Sequence, residues 1–202
     1  MAERQVVHVV DDDEGVRHSL AFLLDSAELA VRTYGSALAL LEAASCLATG
    51  CILTDVRMPD MDGLTLQRRL LDLGIRLPLI MMTGHADVPI AVQALKAGAF
   101  DFIEKPFDDE RLLGAVHAAL ERNSAAARHD AQVRAICARM EALTPREREV
   151  LDGLVAGQAN KEIALDLGMS PRTVEVHRAR VMEKMAAQSL SELVRIVLTA
   201  TP

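Results

Sequence analysis

The sequence predicts an α/β domain followed by a smaller all-α domain, and three observations support this division. Five short apolar runs alternate with helix-like segments in the first part of the chain. Helix-start signals then follow one another without further strand-like runs. The charge also differs, because residues 1–123 carry 19 acidic and 11 basic side chains whereas residues 124–202 carry 10 acidic and 11 basic. This asymmetry indicates two domains with different partners.

Five predicted strands define the first domain. Their apolar residues run continuously, which is typical of parallel strands covered on both faces of a sheet. With the helices between them they give a (βα)₅ order, which fits a flavodoxin-like doubly wound sheet. The predicted strands are Val6–Val10, Val31–Tyr34, Cys51–Thr54, Leu77–Met82 and Phe100–Ile103. The predicted helices are Val16–Ala27, Ala37–Ala44, Leu64–Leu73, Val88–Ala97 and Arg111–Arg122.

The composition excludes several classes of protein. Half of the 202 residues are hydrophobic and a quarter are charged, which argues against general disorder. Four Phe, one Tyr and no Trp are too few for an aromatic platform that binds single-stranded nucleic acid. We expect no membrane span, since no apolar run approaches about 20 residues, and no signal peptide. Three cysteines without a C-x-x-C pair argue against a disulfide framework or a zinc site, so we expect a cytoplasmic protein.

Polar side chains gather where the predicted strands end. The acidic run Asp11–Asp13 follows the first strand and Asp55 follows the third. Thr83 follows the fourth strand and Lys105 follows the fifth. One such group could simply cap the next helix. Four of them at one edge of a sheet indicate a functional site.

These residue types suit phosphoryl chemistry. Clustered carboxylates favour a hard divalent cation such as Mg²⁺. A carboxylate beside that cation can attack phosphorus and form an aspartyl phosphate. Lys105 can pair with the incoming phosphoryl group, and the Thr83 hydroxyl can hydrogen-bond to it. The chain has neither the G-x-G-x-x-G and P-loop patterns nor a G-x-S-x-G elbow, which argues against dinucleotide binding, P-loop chemistry and serine hydrolysis.

The segment Val6–Arg122 resembles the receiver domain of two-component response regulators. The resemblance rests on Asp11-Asp12, the run Asp55-Val-Arg-Met-Pro-Asp-Met-Asp-Gly63, Thr83-Gly84 and Lys105-Pro106, in this order. It implies that Asp55 accepts phosphate from a sensor histidine kinase, with Lys105 as the phosphate partner.

The same resemblance implies a metal site and a switch. Asp12, Asp55 and the main-chain carbonyl of Arg57 would bind Mg²⁺, and Asp11 would act through water. Thr83 and Phe102 would form the switch pair, although Phe102 has a second interpretation as a core residue. The bond between Lys105 and Pro106 would be cis.

A helical linker, residues 123–142, is predicted between a first domain at 1–122 and a second at 143–202. The segment Glu121–Leu143 is rich in Ala and has no Gly or Pro, which favours a helix. A short heptad-like stripe runs along it. This stripe either couples domains or subunits, or covers the core of its own domain. Its members are Val133, Ile136, Met140 and Leu143.

Four helices are predicted in the second domain. Thr144-Pro145-Arg146-Glu147 has the pattern of a capping box with Pro at the first helical position. Ser170-Pro171 and Ser189–Glu192 start two further helices, and Asn160 is predicted to cap a helix that ends at Leu167. The short turn Leu167–Ser170 joins two of the four helices, as a helix-turn-helix requires.

The helix after Ser170 has an apolar face and a polar face. Val174, Val181 and Met185 form the inward stripe. Small and charged residues on the other side can enter a major groove, or can form an ordinary solvated surface. That side comprises Arg172, Glu175, Val176, Ala179 and Arg180.

The runs Gly157–Ala164 and Ser170–His177 resemble the LuxR-type four-helix DNA-binding domain. The resemblance extends over roughly Leu143–Ala200, and the two halves together resemble FixJ-type response regulators. It implies DNA contacts by Lys161, Thr173, Glu175, Val176, Ala179 and Lys184, to which the polar helix face adds Arg172 and Arg180.

We therefore predict a phosphorylation-switched transcription regulator and not an enzyme. Phosphate on Asp55 would draw Thr83 inward with Phe102 following, and the protein would dimerise and bind promoter DNA. The implied partners are a sensor histidine kinase, double-stranded DNA and RNA polymerase, with nitrogen-fixation genes as possible targets. The alternative is a Mg²⁺-dependent phosphotransfer enzyme or relay whose C-terminal helices bind protein. The candidate dimer contacts are Val92, Lys96, Arg111 and Leu112.

Overall fold

A computed structural model of the chain describes residues 5–47, 49–84 and 88–200. The outer ends of the two predicted domains, residues 1–4 and 201–202, lie outside the described residues. The chain divides into two compact units, residues 1–126 and 127–202. None of the helices in the described ranges has both the length and the apolar character that a membrane span needs.

The first unit is built on a five-stranded parallel sheet with the order β2-β1-β3-β4-β5. The direction of strand addition reverses between β1 and β3, and in such sheets ligands bind beyond the carboxyl ends of the strands at this point. The predicted doubly wound fold is thus confirmed. The strands are β1 (Val6–Val10), β2 (Ala30–Tyr34), β3 (Gly50–Asp55), β4 (Leu79–Thr83) and β5 (Asp101–Glu104).

Helices cover both faces of the sheet, and each face has its own apolar core. Val7 and Val9 point to one face, where α1 and α5 pack. Val10 and Ile52 point to the other, where α2, α3 and α4 pack. Burial on both faces explains why the strands are apolar throughout. The helices are α1 (Glu14–Ser26), α2 (Ala37–Glu42), α3 (Gly63–Asp72), α4 (Val88–Lys96) and α5 (Asp109–Glu141), with a short 3₁₀ helix at Ala44–Cys46.

Helix α5 continues without a break through the predicted linker, so the last helix of the first predicted domain and the linker form one 33-residue helix. Its C-terminal part belongs to the second unit. Ile136 is buried in the core of that unit, Met140 packs against the same core, and Arg139 donates a hydrogen bond to the carbonyl of Met185 at 3.3 Å. Three of the four stripe residues, Ile136, Met140 and Leu143, therefore pack on the core of their own unit.

The second unit adds four helices. Val174, Val181 and Met185 are fully buried, as the predicted inward stripe requires. Thr144 Oγ1 accepts from the N–H of Glu147, and Glu147 Oε2 accepts from the N–H of Thr144, so the capping box is present. The helices are α6 (Pro145–Val155), α7 (Asn160–Asp166), α8 (Pro171–Lys184) and α9 (Leu190–Ala200).

Asn160 is not the cap of α7, and the prediction for this residue was wrong. It is the first helical residue, and Ala159 takes the capping position. The carbonyl of Ala159 accepts from the N–H groups of Glu162 and Ile163 at 2.9 and 3.1 Å, and Glu162 Oε2 in turn accepts from the N–H of Ala159 at 2.7 Å. The Asn160 side chain instead accepts a hydrogen bond from Arg178 Nη1 at 3.2 Å. Its amide thus links α7 to α8.

Candidate phosphoacceptor site and nucleic-acid interface

Four polar residues lie at the carboxyl ends of neighbouring strands. Asp11 directly follows β1, and Asp55 is the last residue of β3. Thr83 is the last residue of β4, and Lys105 directly follows β5. Because all these strands are parallel, their ends meet at one edge of the sheet.

Lys105 joins the two buried carboxylates of this edge. Its Nζ donates to Asp11 Oδ2 and to Asp55 Oδ1, each at 2.7 Å. Asp11 is only 2% exposed and Asp55 only 8%. The backbone holds the lysine in place, since the N–H of Lys105 donates to the carbonyl of Thr83 at 2.6 Å. The Lys105–Pro106 bond is cis, as expected.

The charge of Lys105 is maintained by its partners. Burial disfavours the ammonium form, but the hydrogen bonds and negative charges of Asp11 and Asp55 outweigh it and raise the pKa of Lys105 above its usual value. The lysine is therefore a permanent cation at neutral pH. It offsets the repulsion between two carboxylates that would otherwise face each other in a poorly solvated place.

Each carboxylate is also held by the main chain. Asp11 Oδ1 accepts from the N–H of Asp13 at 3.0 Å, and Asp55 Oδ2 accepts from the N–H of Arg57 at 2.6 Å. Behind Asp55 the chain is packed closely, because a Cβ at Gly63 would lie 2.6 Å from the Asp55 carbonyl oxygen. Only glycine fits there.

The donor set suits Mg²⁺. All side-chain ligands on offer are carboxylate oxygens, and Mg²⁺ is usually held by one or two carboxylates with several waters. Asp11 and Asp55 lie close enough for a single ammonium to bind both. Within the described ranges, no three His, Cys, Asp or Glu side chains lie close enough together to hold a metal ion. The exposed Asp12 therefore does not form a three-carboxylate cluster with Asp11 and Asp55.

The candidate switch residues differ in burial. Thr83 is 2% exposed at the end of β4. Phe102 is half-buried on β5 and packs against the core on the α2–α4 side of the sheet. Phe102 therefore does contribute to the core, although the residue is not fully buried.

The candidate dimer contacts do not all lie on the surface. Val92 and Lys96 on α4 are exposed. Arg111 on α5 is also exposed, and its Nη2 donates to Asp101 Oδ2 at 2.8 Å. Leu112 is fully buried in the core beneath α1 and α5, so its prediction as a contact residue is corrected. Its neighbour Arg111 occupies the outward side of the helix.

Helix α8 presents most of the candidate DNA contacts to solvent. The exposed candidates are Arg172, Thr173, Glu175, Val176, Ala179 and Arg180, with Lys161 exposed on α7. Lys184 is engaged within the domain: its Nζ donates to Glu147 Oε2 at 2.7 Å and to the carbonyl of Ala142 at 3.1 Å. The bonds from Lys184 and from the Thr144 backbone lower the pKa of the buried Glu147 to about 2.

Two structurally important residues escaped prediction from the sequence. Arg17 binds the backbone of the acidic turn through its guanidinium. A cation in the first turn of a helix interacts unfavourably with the helix dipole, so the position of Arg17 was the sequence signal for a specific contact. His8 is buried inside an otherwise apolar strand, and its single imidazole among valines was the signal there.

Comparison with known proteins gives the family of both units. The response regulator receiver domain matches residues 7–117, and the luxR family of bacterial regulatory proteins matches residues 141–197. The transcriptional regulatory protein FixJ of Azorhizobium caulinodans is 54% identical over 200 residues, which cover 99% of this chain and 95% of the relative.

Two solved structures resemble almost the whole chain. The response regulator StyR has a TM-score of 0.87 at 38% identity, with 96% of this chain and 98% of StyR covered. Full-length FixJ from B. japonicum has a TM-score of 0.62 at 48% identity, with 98% and 97% covered.

The fold, the paired carboxylates and these similarities define a response regulator in which a receiver domain precedes a luxR-type DNA-binding domain. Within that class the chain belongs to the FixJ-type transcriptional regulators of two-component systems. The predicted family and its general function are thereby confirmed.

Proposed function

We propose that Asp55 accepts a phosphoryl group from a sensor histidine kinase. The observation that carries this proposal is the double ion pair of Lys105 with Asp11 and Asp55 at the switch point of the sheet. An oxygen of Asp55 forms the new bond to phosphorus while the bond from phosphorus to the kinase imidazole breaks. The electron pair remains on the imidazole nitrogen, which then takes a proton. Lys105 is in place to pair with the added phosphoryl charge.

The same edge supplies the ligands for Mg²⁺ in this proposal. Asp12 and Asp55 would hold the ion together with the main-chain carbonyl of Arg57, and Asp11 would act through water. When bound, it would neutralise negative charge on the phosphoryl oxygens. The hydrogen bond from the Arg57 N–H already fixes one oxygen of Asp55 and leaves the orientation of the carboxylate defined.

Phosphorylation by acetyl phosphate tests the assignment. Wild-type protein with Mg²⁺ should show a phosphorylated species on a phosphate-affinity gel, and chelation of Mg²⁺ should prevent it. Asp55→Asn should abolish that species, whereas the matched control Asp60→Asn, at an exposed aspartate of the same loop, should not. Stable labelling of Asp55→Asn would refute the role of Asp55.

We propose that phosphorylation then changes the face formed by α4, β5 and α5. Thr83 would turn toward the phosphoryl group and Phe102 would move into the space it leaves, since β4 and β5 are adjacent and Phe102 pairs with Met81, two residues before Thr83. The exposed Val92, Lys96 and Arg111 would contact a second copy of the chain. Val92→Asp should keep the phosphorylated protein monomeric in light scattering, whereas Leu38→Asp on the exposed side of α2 should still dimerise. A dimeric Val92→Asp variant would contradict this face.

We propose that α8 enters the major groove of promoter DNA. Arg172 and Arg180 would contact phosphates. The bases or the sugar-phosphate backbone of the DNA would be contacted by Lys161, Thr173, Glu175, Val176 and Ala179. Lys184 would act by holding α8 against α6 through Glu147, and any contact of its own to DNA would require that ion pair to open.

The salt dependence of DNA binding tests this orientation. Arg180→Ala should make the negative slope of the logarithm of the DNA-binding constant against log salt shallower by about 1, as the loss of one phosphate contact predicts. Arg195→Ala, at an exposed arginine of α9, is the matched control and should leave the slope unchanged. An unchanged slope in Arg180→Ala would place that residue outside the interface.

The proposed regulator acts in the cytoplasm and recruits RNA polymerase to the promoters that it binds. The FixJ relatives support nitrogen-fixation genes as targets. Binding of promoter fragments in a gel shift, with and without acetyl phosphate, separates this function from a phosphotransfer relay whose helical domain binds protein. A relay would give phosphorylation at Asp55 but no DNA shift in either state.

A further inference from the structure

One residue of α1 binds all three carbonyls of the acidic turn. Arg17 Nη1 donates to the carbonyl of Asp11 at 2.8 Å and to that of Asp12 at 3.0 Å. The backbone N–H of Arg17 donates to the carbonyl of Asp13 at 3.0 Å. The three consecutive peptide groups that carry the acidic side chains are therefore all fixed by Arg17.

The position of the guanidinium is itself well defined. Arg17 is half-buried, and a Cβ at Gly35 would lie 3.7 Å from its Cζ, so the guanidinium packs against the backbone just after β2. A cation in the first turn of α1 opposes the helix dipole. The two bonds from Nη1 compensate for this. A lysine ammonium lies one bond closer to the backbone than an arginine Nη, so it does not reach the same two carbonyls in the same geometry.

We propose that Arg17 is a positioning residue for Mg²⁺, because it holds the turn that presents the carboxylates of Asp11 and Asp12. This inference rests on the proposed phosphoacceptor function. Asp11 has further anchors in Lys105 and the N–H of Asp13, whereas Asp12 is exposed and its peptide carbonyl is held by Arg17. Loss of the guanidinium frees that peptide group and with it the direction of the Asp12 side chain.

Positioning and simple electrostatics predict opposite effects of removing Arg17. By charge alone, the loss of a nearby cation lowers the repulsion of Mg²⁺ and tightens its binding. If Arg17 positions the carboxylates, the loss of their orientation weakens binding. The sign of the change in the Mg²⁺ dissociation constant therefore separates the two.

Calorimetric titration of the full chain with Mg²⁺ tests the proposal. Arg17→Met should raise the dissociation constant about 10-fold or more, as is usual when a residue that orients a metal ligand is lost. Phosphorylation of this variant by acetyl phosphate should be slow at low Mg²⁺ and recover at saturating Mg²⁺, which a general structural defect would not allow. Arg76→Met, at an exposed arginine between α3 and β4, is the control for charge. A dissociation constant that is unchanged or lower in Arg17→Met overturns the proposal.

Arg17→Lys keeps the test decisive where the methionine variant fails to fold. This variant keeps the charge, but its shorter side chain does not place a donor where Nη1 lies, so it should also bind Mg²⁺ more weakly than the wild type, and wild-type affinity in it overturns the proposal. Failure of the wild-type protein to bind Mg²⁺ or accept phosphate would instead refute the proposed function.

Discussion

Stability of the receiver domain should fall as the pH drops below neutral, because His8 is buried in β1. His8 is 1% exposed, its Nδ1 lies 3.2 Å from Tyr34 Oη, and its Nε2 has no hydrogen-bond partner among the described residues. Burial, and then the positive charge of Arg32, lower the pKa of His8 from 6.5 to about 4. The folded domain therefore requires a neutral imidazole.

The size and the pH range of the effect follow from these two pKa values. Above pH 6.5 the imidazole is neutral in both the folded and the unfolded chain, so His8 does not lower the free energy of unfolding. Between pH 6.5 and about 4 the unfolded chain binds a proton that the folded domain does not, so stability decreases as the pH falls. The total loss is about 3 kcal/mol, of which about 2 kcal/mol falls between pH 7 and pH 5.

The single tyrosine of the chain makes this measurable in the intact protein. Tyr34 lies in the receiver domain and the chain has no Trp, so tyrosine fluorescence reports the unfolding of this domain alone. Urea titrations between pH 7 and pH 5 should show the loss in the wild type and in His18→Gln, a change of an exposed histidine on α1. The slope should be largely absent in His8→Leu, even where the absolute stability of that variant differs. Equal slopes in wild type and His8→Leu would refute the reasoning.

Two ion pairs give further predictions. Lys105→Met leaves Asp11 and Asp55 without their shared cation, so the receiver domain should lose about 3 kcal/mol at neutral pH in tyrosine-monitored urea unfolding. Added Mg²⁺ should restore part of this loss, and full stability without Mg²⁺ would contradict the role of the lysine. Glu147→Gln removes the charge that Lys184 binds and weakens the cap of α6, so the second domain should lose about 1 kcal/mol in thermal unfolding followed by circular dichroism. The pKa of Glu147 is lowered to about 2, so the ionised carboxylate stabilises the wild-type domain fully above about pH 4.5. This stabilisation is lost as the pH falls toward 2. Glu147→Gln should lack this pH dependence of stability.

The sheet and its functional edge could be predicted because they leave local signals. Strands covered on both faces are continuously apolar, and parallel strands bring Asp11, Asp55, Thr83 and Lys105 to one edge whatever the details of packing. The caps at Thr144 and Ser170 were equally readable, since each depends on residues within one helical turn.

The remaining features depend on contacts between distant parts of the chain. Leu112 and Arg111 are adjacent in sequence, and only the packing of α5 on the sheet decides which of them is buried. The pairing of Lys184 with Glu147 joins residues 37 positions apart. Asn160 fits the usual preference for a cap, yet the carbonyl of Ala159 accepts the N–H groups of Glu162 and Ile163, so the helix begins one residue earlier without a side-chain cap. Helix propensity predicted a helical linker, but it gave no reason for that linker to continue the receiver helix.

The pairing of cations inside the second domain also bears on the proposed dimer. Arg178 is half-buried and bound to Asn160, and Lys184 is bound to Glu147, so on α8 the exposed arginines are Arg172 and Arg180. Each phosphate contact adds about 0.9 to the magnitude of the slope of log K against log salt. A single copy that makes few such contacts binds DNA weakly at physiological salt. Joining two copies makes the second binding event intramolecular and can raise the affinity by a factor of about 100 or more. In the proposed function, a switch in the receiver domain would therefore control DNA binding by controlling dimerisation, without any change in the surface of α8.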